Sequence, residues 1–147
     1  MSFLGRTFQL WLLLAMSFVS AAVAQQPDQP SMPDCAPDKT LADYQSDIEA
    51  SPKSSLAYYC MAELHLKGGH YQASLNAYRG SLRGDGIPYW TKVWSYVQMG
   101  KIFDLTNQRE RAVSRYQLAI ATGDNSGDAI TRARELLDQP FIWSATQ

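Results

Sequence analysis

The apolar positions of this chain come in short bursts at helical spacing, separated by glycine, proline or small polar residues. In "MAELHLKGGHYQASLNAYRGSL", Met61, Leu64 and Leu66 precede Gly68-Gly69, and Tyr71, Leu75, Tyr78 and Leu82 follow it. Each half suits a short amphipathic helix, and the glycine pair breaks them apart. Extending the reading predicts six helices near 38–50, 54–67, 70–83, 88–105, 108–122 and 126–138. Asn107 followed by Glu110 reads as a capping box for the fifth, and Gly123 stands where its terminal glycine belongs. Ile130, Ala133, Leu136 and Leu137 share a face of the sixth, which Pro140 stops. No single burst is long enough for a stable isolated helix, so the elements must complete one another.

The bursts also repeat. Tyr58-x2-Met61-Ala62-x2-His65 followed by Ser74-x3-Tyr78 returns 38 residues later as Tyr96-x2-Met99-Gly100-x2-Phe103 followed by Ala112-x3-Tyr116. Small residues (Ala62 and Ser74, Gly100 and Ala112) fall where two antiparallel helices would approach closely, and the aromatic and methionine positions fill the space around them. The pattern resembles the tetratricopeptide repeat, W-x2-L-G-x2-Y then A-x3-F then P, over roughly 34 residues. The four extra residues fall in "RGDGIPYW", between units. Tyr44, Ile48 and Pro52 continue the register backwards as the second helix of an earlier unit. Two features depart from the family pattern: tyrosine stands in the leading tryptophan slot, and His65 fills an aromatic one. The resemblance covers residues 40 to 139 and implies an all-α fold, a short right-handed superhelix of antiparallel helix pairs.

That resemblance also implies a function. The first helices of successive units would line a concave groove for a protein or peptide partner. Carried over by register, the groove positions are Tyr59, Glu63, Leu66 and Lys67, then Trp94, Val97, Lys101 and Asp104, with Thr131 and Glu135 from the last helix. The lysine and asparagine carboxylate clamp of some members has no counterpart, since Tyr59, Glu63, Val97 and Lys101 occupy its slots. The second reading is a self-assembly module, a homodimer stacked through its solenoid ends with Phe141 and Trp143 as contacts. Otherwise Phe141, Ile142 and Trp143 fold over the last helix as a lid.

The amino-terminal segment changes the setting. Arg6, the apolar run from Leu10 to Val19 and the small residues of "AVA" ending at Ala24 read as a cleaved secretory signal over 1–24. The run is short for a transmembrane helix, which needs about 20 apolar residues, and a membrane-bound form would require an uncleaved signal. Residues 25–37 form a Pro-rich acidic leader, 38–139 the helical domain and 140–147 a hydrophobic tail. Between Gln25 and Pro52 six acids face one base, net −5, whereas from Lys53 onwards eleven bases face eight acids, net +3. No basic tract is dense enough to indicate nucleic acid. The expected location is periplasmic or secreted.

Export puts Cys35 and Cys60 in an oxidising compartment, where an even count fits one disulfide. The leader must fold back for the two to meet; the alternative is a packed Cys60 with Cys35 free or bonded to another chain. Catalytic sets are scarce. His65 and His70 have no spaced zinc-ligand partners, no G-x-S-x-G elbow occurs, and Gly84 and Gly86 are followed by no G-K-[ST]. Asp124, Ser126, Asp128 and Glu135 match calcium-loop positions one, three, five and twelve, but Ala129 stands where the turn needs glycine. Asp124 or Ser126 as a helix cap accounts for the same residues. The sequence therefore points to a non-enzymatic binding protein with no cofactor and no metal.

Overall fold

A computed structural model describes residues 35–143; the expected signal peptide at 1–24, the leader before Cys35 and residues 144–147 lie outside the described residues. Among the described residues the chain is all-helical, with six α-helices: α1 Leu41–Ala50, α2 Ser55–Lys67, α3 Tyr71–Leu82, α4 Trp90–Leu105, α5 Arg109–Ala121 and α6 Ala129–Asp138. A 3-10 turn, Ser126–Asp128, leads into α6. No helix among these residues is long and apolar enough to cross a membrane.

Local chemistry sets the ends. Thr40 and Asp43 form a reciprocal capping box at the start of α1, and the Ser54 hydroxyl accepts from the Ala57 N–H at the start of α2. Gly69, at φ +72°, makes the turn into α3, and Gly123, also at φ +72°, closes α5. The expected capping box at α5 is absent. Asn107 lies outside the helix at φ +55°, Gln108 takes the cap position, and no side chain satisfies that end. At α6 the cap comes from Asn125, whose Oδ1 accepts from the N–H groups of Ile130 (2.9 Å) and Thr131 (3.3 Å). Asp124 instead folds onto Ser126, accepting from its N–H at 2.9 Å.

The heaviest packing joins α2 to α3 and α4 to α5, and lighter contacts join α1 to α2, α3 to α4 and α5 to α6. Contacts of α4 with both α2 and α6 put these three helices side by side, with α1, α3 and α5 packed behind them. The core runs between the two layers. Tyr44, Tyr78 and Tyr116, one on each rear helix, are all buried there. Ala62, Ser74, Gly100, Phe103 and Ala112 are buried too, whereas Tyr58 and Tyr96 are half-buried.

The small residues have identifiable neighbours. A Cβ on Gly100 would stand 2.3 Å from Cε1 of Tyr116, and one on Gly80 would stand 2.5 Å from Cδ1 of Tyr58. The Ser74 hydroxyl donates to the Ala62 carbonyl at 2.9 Å, so the α2–α3 approach carries a polar tie as well as close packing. The connection between α3 and α4 is pinned to the start of α2. The N–H of Asp85 donates to the Lys53 carbonyl at 2.7 Å, and the Asp85 carboxylate accepts from the N–H of Ser55 at 3.2 Å.

Cys35 and Cys60 form a disulfide, with Cα atoms 5.4 Å apart, so the end of the leader does fold back onto α2. A covalent bond of this kind fits an oxidising compartment.

Candidate functional site

The face shared by α2, α4 and α6 carries a groove of about 250 Å³, lined by Glu63, Leu66, Lys67, Gln98, Lys101, Leu105, Arg132, Phe141 and Trp143. Four residues carried over by register line it: Glu63, Leu66, Lys67 and Lys101. Beside it Trp94, Lys101, Thr131, Arg132 and Glu135 border a shallower hollow where α4 meets the start of α6.

Three expected groove residues are placed elsewhere. Tyr59 is buried, edge-on to Tyr78 at 5.6 Å and to Trp90 at 5.0 Å. Val97 is fully buried in the same core. Both positions are closed because α2 and α4 are covered on two sides, by their hairpin partner and by a neighbouring hairpin. Asp104 has a side chain only 1 % exposed and is wholly engaged. Its carboxylate accepts from Arg109 Nη1 at 3.1 Å to each oxygen, from the Tyr116 hydroxyl at 2.8 Å and from the Phe141 N–H at 2.9 Å. Asp104 thus ties α4, α5 and the tail together, and its buried side chain is not open to a groove ligand.

Trp94 is half-buried, and its indole N–H donates to the Ser126 carbonyl at 2.9 Å. That bond staples α4 to the turn before α6, so one face of the ring borders the hollow while its polar edge is satisfied. Glu63 plays a similar part in the first hairpin. Its carboxylate accepts from the Tyr78 hydroxyl and from Gln98 Nε2, the latter at 2.8 Å, which joins α2, α3 and α4.

Burial, then the nearby Glu63 carboxylate, pushes the Tyr59 and Tyr78 hydroxyls well above the ordinary tyrosine range. Burial and the bond to Asp104 do the same for Tyr116. These phenols therefore stay protonated and act as donors. Lys101 is shifted the other way: burial and the Arg132 guanidinium lower it, against a weaker opposing pull from Glu63.

The register did not identify Gln98, Leu105, Arg132 or the tail as groove-lining. Gln98 reaches the groove from α4, where its Nε2 donates to the Glu63 carboxylate at 2.8 Å. Arg132 stands next to the expected Thr131, a one-residue slip in the register of α6. For the tail the signal was the apolar "PFIW", of which only Phe141 is half-buried while Ile142 and Trp143 stay exposed. The segment does not stop as a lid on α6 but crosses towards α4 and α2.

Among the described residues no group of three or more His, Cys, Asp or Glu side chains is placed to hold a metal ion. His65 and His70 lie 6.1 Å apart at the α2–α3 turn, away from any carboxylate in the groove. The arrangement offers apolar walls, cations and hydrogen-bonding groups, which suit binding. No family model, curated protein or solved structure matches the chain.

Proposed function

We propose that this chain is an exported, non-catalytic scaffold of the tetratricopeptide-like solenoid type, and that its α2–α4–α6 groove binds a segment of a protein partner. The observation that carries the reading is the groove's construction. It is lined by successive helices of one layer, has Leu66 and Leu105 as apolar walls, and presents Lys67, Lys101 and Arg132 to whatever enters. The repeated Tyr-x2-Met-small pattern and the pairing of α2 with α3 and α4 with α5 support the solenoid reading. The Cys35–Cys60 bond supports export, with the mature chain beginning at Gln25.

The test compares three proteins as bait in envelope extracts of the exporting cell: the parent, a groove variant (Lys67→Glu with Leu66→Gln) and a rear-face control, Gln72→Glu. The expected result is one partner retained by parent and control and lost by the groove variant. Retention by all three would place binding elsewhere. Amino-terminal sequencing of the same parent protein should start at Gln25, and an intact Met1 would overturn cleavage.

A further inference from the structure

The groove is already occupied. Phe141 enters it with its N–H on the Asp104 carboxylate at 2.9 Å, and the Lys101 ammonium stands 5.0 Å from the centre of its ring. Trp143 follows, edge-on to Phe141 at 6.3 Å, and completes the wall opposite Leu66 and Lys67. An aromatic–x–aromatic segment therefore borders the groove, running on from Gln139, which is extended at φ −128° and ψ 119°. This is how a short peptide ligand would be held: one backbone bond fixes register and alternate side chains meet the walls.

The tail fills this site incompletely. Ile142 is 80 % exposed and Trp143 61 % exposed, so much of the apolar surface stays in water. Lys101 is largely buried beside Arg132, yet among the described residues no carboxylate lies within ion-pair distance of it. Arg132 itself is paired with Glu135 at 2.8 Å. Gln98 turns its Nε2 to Glu63 and leaves Oε1 buried with no hydrogen-bond partner. A largely buried cation with only an aromatic face beside it, and a buried acceptor with no donor, each carry a desolvation cost that a better ligand would remove.

We propose that Phe141–Trp143 is a resident occupant of the groove, displaced by a partner peptide that carries two aromatic side chains one residue apart together with a carboxylate for Lys101. This rests on the groove reading above. The partner keeps the two aromatic contacts and adds what the tail lacks, a negative charge at Lys101. Ligands with both features compete with the tail; peptides with basic residues there do not, because Lys101 and Arg132 repel them.

The test uses three labelled nonapeptides: QPFIWSATQ, which copies the tail, and EPFIWSATQ and KPFIWSATQ, which place a glutamate or a lysine two residues before Phe141, because the position between the aromatics faces solvent. Fluorescence anisotropy measures their binding to the full-length mature chain and to the same chain carrying Phe141→Ala and Trp143→Ala. The emptied variant should bind the tail peptide at least tenfold tighter than the parent does. In that variant the glutamate peptide should bind several-fold tighter than the lysine peptide, and adding Lys101→Met should reduce the difference to what Arg132 alone provides; an unchanged difference would overturn Lys101 as the carboxylate's partner. Equal binding to parent and variant would overturn the tail as occupant while leaving the groove intact. A folded variant that binds none of the peptides would overturn the groove as well.

Hydrogen exchange on the parent makes the answer independent of the variant's folding. The Phe141 amide should be protected and should lose that protection as the glutamate peptide saturates. An amide that exchanges freely from the start would overturn the proposal. A parent that sediments as a dimer, with the double variant a monomer, would assign the tail to a second copy's groove and likewise overturn it.

Discussion

The two complete hairpins share a pattern at 38-residue spacing but are wired differently. In α2–α3 the Tyr78 hydroxyl meets Glu63, fifteen residues earlier, and Glu63 passes the connection forward to Gln98 on α4. In α4–α5 the Tyr116 hydroxyl meets Asp104, twelve residues earlier, and Asp104 passes it to the Phe141 N–H of the tail. Ser74 ties itself to the Ala62 carbonyl in the first hairpin, whereas the equivalent Ala112 and Gly100 approach through contact alone. The apolar frame is what repeats. The polar side chains are free to differ because each one joins its hairpin to whatever comes next, a further hairpin in one case and the tail in the other.

The comparison can be broken most severely at Gly100. Leucine there would drive into the Tyr116 ring, which is fully buried and hydrogen-bonded, so relaxation is restricted. A loss of about 3 kcal/mol is expected, at the upper end for overpacking. In a domain of this size that lowers Tm by more than roughly 10 °C. Calorimetry reads it directly, and an unchanged Tm would mean that the second hairpin does not depend on close approach.

Removing the two carboxylates in turn gives a smaller and more pointed contrast. Asp104→Ala strands the Tyr116 hydroxyl and frees Arg109, at a cost of about 2 kcal/mol. Glu63→Ala strands the Tyr78 hydroxyl and the Gln98 amide but frees no paired cation, and should cost about 1 kcal/mol. Chemical denaturation gives both values, and exchange of the Phe141 amide should quicken in the first variant alone. Equal acceleration in both would dissolve the distinction between the two networks.

The smallest effect concerns Lys101. Its folded-state pKa lies below the unfolded value of about 10.4, so the unfolded chain binds the extra proton between the two. Stability from this residue therefore rises with pH across that interval and is lost as pH falls through the folded value. Lys101→Met should leave Tm at neutral pH equal to or slightly above that of the parent, and should flatten the rise on the alkaline side. A clear loss of stability at pH 7 would mean that the cation is compensated by its contact with Phe141.

How much of this was legible follows from what each signal measures. Helix positions came through to within a few residues because glycine, proline and apolar spacing act locally. The meeting of Gly100 with Tyr116 was also readable, since a small residue opposite an aromatic is a packing pattern that spacing alone can reveal. Tyr59 and Val97 were misplaced for a geometric reason. Register assigns a face to each residue, but in a short stack α2 and α4 are covered on more than one side, so a position that looks open is closed by the next hairpin. Asp104 was misjudged because its partners, Arg109, Tyr116 and the Phe141 N–H, lie on three separate segments. The disulfide could be entertained from the cysteine count, but only the path of the leader could decide it.

That disulfide bears on the order of assembly. Cys60, on α2, is 1 % exposed, whereas Cys35 sits at the rim. A thiol exchange partner can take Cys35 first, and the Cys60 thiolate then resolves the mixed disulfide from within the protein. The pairing therefore needs the leader to lie back on α2 but does not need α1 and α2 to open. Once made, the bond is approached by a reductant from the Cys35 side, since Cys60 is shielded. A chain that packed first with both thiols intact would be a different product, folded in its core but with its leader untethered. Thiol accessibility of freshly made protein would separate the two populations.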